Sequence, residues 1–355
     1  MAHLAWEPFP AIDLRQLLRL SDDTGIFQHA LFSTPDLHHG YCVDDNARAL
    51  IAALAYQQLC PDDADAVPLD RYLAFVAYAW NPDTQSFRNF MGYHRQWLED
   101  TGSHDSQART IWSLGLAAAH APTQATRDLA HNLWNRGLLT VERLQFIRSW
   151  AFVLVGLDAF LQHEPDHPKS LQVQKTFGQK LFDAYQRHAT EDWPWWESRL
   201  TYDNAKLSHA LLVTGHALKR DDMIEAALTS LRWLLQVQRA PAGHLSIIGN
   251  DGWLERGKPK ADFDQQPLEA YALVHACLAA AKHTGDRSWE DHAWVCFEWF
   301  RGQNDRNESL YDPQTGGCRD GLASYGPNQN QGAESSLAYL LSVLELHRHR
   351  QNCQA

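Results

Sequence analysis

The sequence of 355 residues predicts an all-α protein folded as an (α/α)6 toroid, a ring of six inner helices surrounded by six outer helices. Apolar residues recur at helical spacing over long windows, and no sustained alternation of apolar and polar residues competes with them. Five times, a polar turn carrying a carboxylate opens onto an apolar run, near Asp45, Asp105, Asp203, Asp264 and Glu334. Self-similarity at such a period indicates a repeated helical hairpin.

The number of repeated units is predicted to be six. The interval between Asp105 and Asp203 is longer than the others, and Ser149-Trp150 begins an apolar run inside it without an acid. The three most similar units share a motif in which an aspartate is followed by Ala-Arg or Ala-Lys and then by an apolar run. These motifs begin at Asp45, Asp105 and Asp203.

The predicted helices alternate in character along the chain. The second helix of each pair is more apolar and richer in alanine, so it can be buried on several sides, whereas the first carries charge on one face. The second helices therefore form the inner ring. In order, the predicted pairs are 11–20 with 44–60, 68–80 with 105–120, 124–142 with 146–163, 169–188 with 203–219, 222–238 with 266–284, and 287–301 with 332–349.

The connections between these helices are asymmetric. Those leaving an inner helix are short, whereas most of those entering one are long, and long loops inside a compact domain are usually functional. We expect residues 1–355 to form a single domain, because a closed repeat can exceed the usual domain length. Its active face is predicted to be the rim formed by loops 21–43, 81–104, 189–202, 239–265 and 302–331.

Composition limits the classes of partner. The net charge is -12 and no run of lysine or arginine occurs, which argues against nucleic acid and anionic membranes. No apolar stretch is long enough to span a bilayer, and the N-terminus lacks the features of a signal peptide. We therefore expect a cytoplasmic protein.

The sequence also gives no sign of a metal or a cofactor. Its six cysteines form no Cys-x-x-Cys pair, which favours reduced thiols over disulfides or zinc. It lacks the glycine-rich loops that bind phosphate. Metal ligands and cofactors are accordingly predicted to be absent.

The long loops contain many aromatic and amide side chains, which suit a sugar ring because its C–H faces stack on aromatic rings while its hydroxyls need hydrogen bonds. The repeated acids have two interpretations. They are helix caps or first-turn acids that complement the helix dipole, or they are the two carboxyl groups, one protonated and one ionised, that cleave a glycosidic bond. Both can hold in one ring of helices.

The candidate catalytic residues are Asp105 as the acid and Glu334 as the base, with Asp45 and Asp203 as further candidates for either role. The candidate substrate-binding residues are His39, Tyr41, Asp44, Asn89, Arg109, Trp196, Tyr202, Asp264, Gln265, Glu269, Asp320 and Asn330.

Five segments carry a resemblance to a known family: Gly40-Tyr-Cys-Val-Asp-Asp-Asn-Ala-Arg, Phe87-Arg-Asn-Phe-Met, Gly102-Ser-His-Asp-Ser-Gln-Ala-Arg, Phe263-Asp-Gln-Gln-Pro-Leu-Glu-Ala and Asn330-Gln-Gly-Ala-Glu-Ser. The chain resembles a little-characterised bacterial family whose members, alone or fused to glycosyltransferases, are similar to six-hairpin (α/α)6 glycosidases. The resemblance implies a carbohydrate-active toroid with the matched Asp45, Asp105, Asp264 and Glu334 in its pocket. It also implies a functional link to a glycosyltransferase.

The leading hypothesis is an inverting glycoside hydrolase that acts on an oligosaccharide. A second hypothesis is a sugar epimerase or isomerase, in which His39, His104 or His209 exchanges a proton next to a carbonyl group. A third is a non-catalytic glycan-binding module that serves a glycosyltransferase. Fold alone does not choose among them.

Overall fold

A computed structural model of the chain describes residue 6 and residues 8–354. Helices account for most of this part of the chain. They are α1 (Arg15–Arg19), α2 (Val43–Leu59), α3 (Leu69–Ala79), α4 (His104–His120), α5 (Gln124–Leu138), α6 (Ile147–His163), α7 (Pro168–His188), α8 (Ala205–Leu218), α9 (Asp221–Val237), α10 (Pro267–Thr284), α11 (Ser288–Glu298) and α12 (Ala333–Gln354). Short 3-10 helices span Pro61–Ala66, Val141–Arg143 and Trp299–Arg301.

The even-numbered helices form a closed inner ring. Each packs against the next, and α12 closes the ring by packing against α2. The odd-numbered helices lie outside them, which confirms the predicted (α/α)6 toroid. Each inner helix is buried along most of its length, whereas α5, α7 and α9 bury one face.

The pairing of the helices differs from the prediction in one respect. Outer helices α3, α5, α9 and α11 pack mainly on the inner helix that precedes each of them, while α7 packs on both α6 and α8. The short connections explain this, because a few residues bring two helices together as antiparallel neighbours. The long rim loops separate an outer helix from the inner helix that follows.

Some predicted helix boundaries were wrong. Helix α1 has only five residues, whereas the prediction was 11–20. Asp13 lies outside it, because its carboxylate binds the Arg15 side chain and accepts a hydrogen bond from the Tyr311 hydroxyl at 2.8 Å. Helices α5 and α11 are shorter than predicted and are followed by 3-10 turns, and α12 continues beyond residue 349.

The rim loops contain short antiparallel strand pairs that the sequence analysis did not predict. They are β1 (Ala30–Leu31) with β2 (Thr34–Pro35), β3 (Tyr41–Cys42) with β6 (Phe90–Met91), β4 (Trp80–Asn81) with β5 (Ser86–Phe87), β7 (Arg199–Leu200) with β8 (Leu254–Glu255), β9 (Tyr311–Asp312) with β10 (Gly317–Cys318), and β11 (Leu322–Ala323) with β12 (Gly326–Pro327). The β3–β6 and β7–β8 pairs join different loops, so the rim is tied together by backbone hydrogen bonds.

The core lies between the two rings of helices and contains five fully buried tryptophans, Trp134, Trp195, Trp196, Trp289 and Trp299. All six cysteines are unpaired. Within the described residues, no helix combines the length and the apolar character needed to cross a membrane.

Candidate active site

Six carboxylates meet where the inner helices begin. Five lie in first helical turns: Asp44 and Asp45 on α2, Asp105 on α4, Glu269 on α10 and Glu334 on α12. Asp203 lies two residues before α8. Because the inner helices form a closed ring, these side chains gather at one end of the ring, which forms its mouth and where the helix dipoles favour negative charge.

The aspartates of the repeated motif are not the helix caps. The cap residues of α2 and α4 are Cys42 and Ser103, whose side chains accept backbone N–H groups at 3.3 and 3.1 Å. Asn204 occupies the cap position of α8. Capping therefore does not account for these aspartates, whereas Asp45 and Asp105 do lie in first helical turns, where the helix dipole favours a negative charge.

Arg48, the cation of the first motif, is buried and joins the first inner helix to the last. Its Nη1 donates a hydrogen bond to Asp45 at 2.9 Å, and its Nη2 donates one to Glu334 at 2.7 Å. Burial raises the pKa of Asp45 to about 6, although the positive charge of Arg48 acts to lower it. The Glu334 side chain is 44% exposed, so it offers solvent a carboxylate whose charge Arg48 stabilises.

Arg109, the cation of the second motif, is also buried and lies between Asp44 and Asp203, at 3.1 and 3.4 Å. Asp203 is buried and has φ of 50°, a left-handed conformation that is uncommon for residues other than glycine. Its Oδ1 has no hydrogen-bond partner within the described residues. Burial raises the pKa of Asp203, although the positive charges of Lys206 and Arg109 act to lower it.

Glu269 holds the Asp203 segment in place. Its carboxylate accepts the backbone N–H of Asp203 and, at 3.3 and 3.0 Å, the backbone and side-chain N–H groups of Asn204. Burial, together with the charge of Asp203, raises the pKa of Glu269 to about 7. Its hydrogen bonds make Glu269 a support for the left-handed turn rather than a group that faces the mouth.

Asp105 is anchored by hydroxyl groups rather than by a cation. Ser149 and Tyr202 donate hydrogen bonds to its two oxygens at 2.7 and 2.6 Å. The Tyr202 ring packs on the guanidinium of Arg148, which in turn binds Glu197 at 2.7 Å. The sequence analysis did not include Arg148 or Ser149 in the site, although Ser149 marks the unit of the repeat that lacks an acid.

Lys206, the cation of the third motif, forms the floor beneath the carboxylates. It is fully buried, lies 2.8 Å from His275 Nδ1, and packs against the rings of Trp112 and Tyr271 at 4.8 and 4.4 Å. Burial lowers its pKa to about 8. The sequence analysis recorded Lys206 in the repeated motif but did not place it in the site.

Other predicted substrate-binding residues shape the rim. The amide oxygens of Asn89 and Asn330 accept the backbone N–H groups of Asp44 and Phe32, at 3.1 and 2.9 Å. Asp320 accepts the N–H of Gly332 at 2.7 Å, just before α12. Asp264 is partly buried, which raises its pKa, and His39 is exposed beside Asp36 at 3.6 Å.

Three predicted substrate-binding residues are buried instead. The Tyr41 hydroxyl donates to Asp22 at 2.6 Å, Trp196 Nε1 donates to the backbone oxygen of Leu181 at 2.9 Å, and Gln265 Oε1 accepts from Trp299 Nε1 at 2.8 Å. Each is buried and its polar group is already paired within the protein, so that group is not free to bind a substrate. Their predicted role is corrected to one of packing within the rim loops.

The chain has the same fold as several solved structures. A cellobiose 2-epimerase from Bacillus thermoamylovorans matches with a TM-score of 0.72 and 13% identity, over 95% of this chain and 96% of that one. An α-mannanase from Bacteroides thetaiotaomicron matches with a TM-score of 0.68 and 10% identity, over 96% and 95% of the two chains. An inactive variant of an α-1,6-mannanase from Salegentibacter sp., in complex with α-1,6-mannotetrose, matches with a TM-score of 0.63 and 11% identity, over 94% and 96%.

At this level of identity the likeness establishes the fold alone. No protein-family model and no curated protein sequence matches the chain. The six-hairpin fold that the resemblance implies is confirmed by these structures, whereas membership of the family and the link to a glycosyltransferase stay predictions.

Proposed function

We propose that the protein is a carbohydrate-active enzyme that hydrolyses a glycosidic bond. Its structural neighbours include an α-mannanase and a mannanase bound to an oligosaccharide, and its rim offers carboxylates, amides and aromatic rings around one mouth. The proposal depends mainly on the contrast between Asp203 and Glu334. Two carboxyl groups in unlike environments are what general acid–base cleavage requires.

Asp203 is proposed to be the proton donor. Its burial and its raised pKa favour the protonated form, and its Oδ1 is free of protein hydrogen bonds within the described residues. Asp105, the donor proposed from the sequence, accepts a hydroxyl hydrogen bond on each of its two oxygens, so neither oxygen is free of a protein partner. We therefore assign Asp105 to positioning a sugar hydroxyl or the Tyr202 ring.

Glu334 is proposed to be the base that activates water. It is the exposed member of the Arg48 pair, so a water molecule can reach it while Arg48 holds its orientation. Asp203 pairs with Arg109 and Glu334 with Arg48, and no hydrogen bond joins the two carboxyl groups in the described structure. Inversion requires about 6.5–9.5 Å between the two carboxyl groups, which leaves room for a water molecule between the base and the sugar.

In the proposed reaction, Asp203 protonates the oxygen of the scissile bond as that bond breaks. Glu334 removes a proton from water, whose oxygen attacks the anomeric carbon from the opposite face. The products are a sugar with inverted anomeric configuration and a free alcohol. Asp203 ends ionised and Glu334 protonated, and solvent returns both to their starting states.

The histidines give less support to epimerisation. His209 is buried and lies beyond the Lys206 floor, next to His275 with ring centroids 4.3 Å apart. His104 accepts the backbone N–H of Gln145 at 3.2 Å, and His39 is exposed beside Asp36.

The test is product analysis on a panel of α- and β-linked gluco- and manno-oligosaccharides, with the anomeric configuration followed by NMR. Asp203→Asn and Glu334→Gln should each lower kcat/KM by about a hundredfold or more. Asp262→Asn, which alters an exposed aspartate on the same rim, should leave turnover unchanged.

Other outcomes would overturn the proposal in distinct ways. Activity that persists in Asp203→Asn but not in Asp105→Asn would restore Asp105 as the donor. Conversion of a reducing sugar without cleavage would replace the hydrolase with an epimerase. Binding of a glycan without turnover of any kind would identify a binding module.

A further inference from the structure

A cavity of about 660 Å³ opens at the end of the toroid opposite the carboxylates. It is lined by the C-terminal halves of the inner helices, and Trp112 and His275 from the floor beneath the carboxylates also line it. Its edge is formed by α11 and α12, which contribute Glu290, His349 and Cys353. The proposed hydrolase mechanism uses none of these three side chains.

The three side chains converge on one point. One potential ligand atom from each of Glu290, His349 and Cys353 lies within 4.8 Å of the other two. His349 Nε2 is 3.3 Å from Glu290 Oε1 and 3.6 Å from Cys353 Sγ. His349 and Cys353 are four residues apart on α12, so they share one face, and Glu290 approaches from α11.

The surroundings orient these groups as a set of ligands. Arg287 Nε donates a hydrogen bond to Glu290 Oε2 at 3.2 Å, so the other oxygen, Oε1, faces His349. Outer contacts of this kind commonly fix a ligating carboxylate. The nearby Arg348 pairs with the carboxylate of Glu345, which compensates part of its positive charge.

We propose that Glu290, His349 and Cys353 bind a divalent transition-metal ion, with Zn²⁺ the best match. One sulfur, one nitrogen and one oxygen ligand suit Zn²⁺, which prefers four tetrahedral ligands. The fourth position opens into the cavity and takes water or a small anion. On binding, the Cys353 thiol loses its proton to solvent as the sulfur–metal bond forms.

This site was not expected from the sequence. Glu290 and His349 are 59 residues apart in the sequence, and only the folded arrangement of α11 and α12 brings them together. The site is independent of the proposed hydrolase, because it lies at the other end of the ring. Metal binding and glycan turnover can therefore succeed or fail separately.

The test is titration of the untagged, chelator-treated full chain with Co²⁺, followed by displacement with Zn²⁺. We expect one ion per chain and a near-ultraviolet charge-transfer band from sulfur to cobalt. Both Cys353→Ser and His349→Ala should abolish the band, while circular dichroism shows the fold unchanged. Arg287→Ala should weaken binding by about tenfold through loss of the outer contact.

Cys60→Ser is the matched control, because Cys60 is another free and partly exposed cysteine. It should retain both the band and the stoichiometry. The proposal is overturned if no sulfur-to-cobalt band forms, or if the band survives in Cys353→Ser. Binding without that band, or with several ions per chain and no dependence on His349, would show an adventitious ion only.

Discussion

At the scale of single residues, the repeated motif is informative for its cations as much as for its acids. Arg48, Arg109 and Lys206 follow the motif aspartates by three or four positions, and all three are buried at the mouth of the ring. A buried cation next to a helix start is unfavourable unless acids surround it. The motif therefore encodes an ionic network rather than a set of helix caps.

Lys206 is expected to control the protonation of Asp203. Its charge lowers the pKa of Asp203 while burial raises it. Lys206→Met should therefore raise that pKa further, and a donor that must be protonated would then stay active to higher pH. We expect the alkaline limb of the kcat/KM profile to move upward by about one pH unit. The measurement is the pH dependence of oligosaccharide cleavage.

The control for this experiment is Lys258→Met, which removes an exposed lysine from the same rim and should not move the profile. An unchanged alkaline limb in folded Lys206→Met would show that Asp203 is not the titrating donor. A loss of activity at every pH would instead assign Lys206 to positioning, and glycan affinity would then fall as well.

The acids could be identified from the sequence because each begins an apolar helical run. The start of such a run can be recognised without tertiary information. Tyr41, Trp196 and Gln265 could not be assigned in the same way. An aromatic or amide residue in a long loop is compatible with a binding role and with a buried one. The choice depends on strand pairs such as β7–β8, which fold the loops back onto the core.

At the scale of elements, periodicity predicted the inner helices to within a few residues because they are long and buried on several sides. The rim strands were not predicted because each has only two residues. Such a strand is too short to show the alternation of apolar and polar residues that identifies a strand. The short α1 was overestimated, since local apolar spacing cannot reveal that Asp13 binds Arg15 and Tyr311.

Among the inner helices, α4 and α6 have the most extensive contact with each other. A Cβ atom added to Gly156 would lie 2.6 Å from Trp112 Cα, and one added to Gly115 would lie 2.7 Å from the Gly156 backbone oxygen. Gly156→Ala should therefore force the two helices apart. We expect it to lower the free energy of unfolding by about 1–3 kcal/mol, measured by urea denaturation.

Gly137→Ala on the outer helix α5 is the comparison. Its added Cβ meets side chains rather than backbone, Ile111 at 3.0 Å and the Phe87 ring at 3.5 Å, and alanine has the higher helix propensity. That variant should be as stable as the wild type or slightly more stable. Equal stability of Gly156→Ala and wild type would contradict the close contact between α4 and α6.

At the scale of the whole molecule, the ring must close by joining its first inner helix to its last. The sequence predicted closure from the number of repeats, but not which contacts would seal it. Arg48 on α2 binds Asp45 on its own helix and Glu334 on α12. The same ion pairs that orient the proposed base therefore also hold the ends of the toroid together.

Arg48→Met should destabilise the toroid in a pH-dependent way. It leaves the buried Asp45 without its cation, which costs about 3 kcal/mol when that carboxylate is ionised. Asp45 has a folded pKa raised to about 6, above its usual 3.8, so its ionisation lowers stability as pH rises through this interval. The variant raises that pKa further, so its loss of stability relative to wild type should be small at about pH 5 and largest at about pH 8.

The measurement is the free energy of unfolding in urea at both pH values. The control is Arg95→Met, which removes an exposed ion pair with Asp23 and should show no pH-dependent loss of stability. A deficit of equal size at both values would mean that Arg48 contributes through packing rather than through charge.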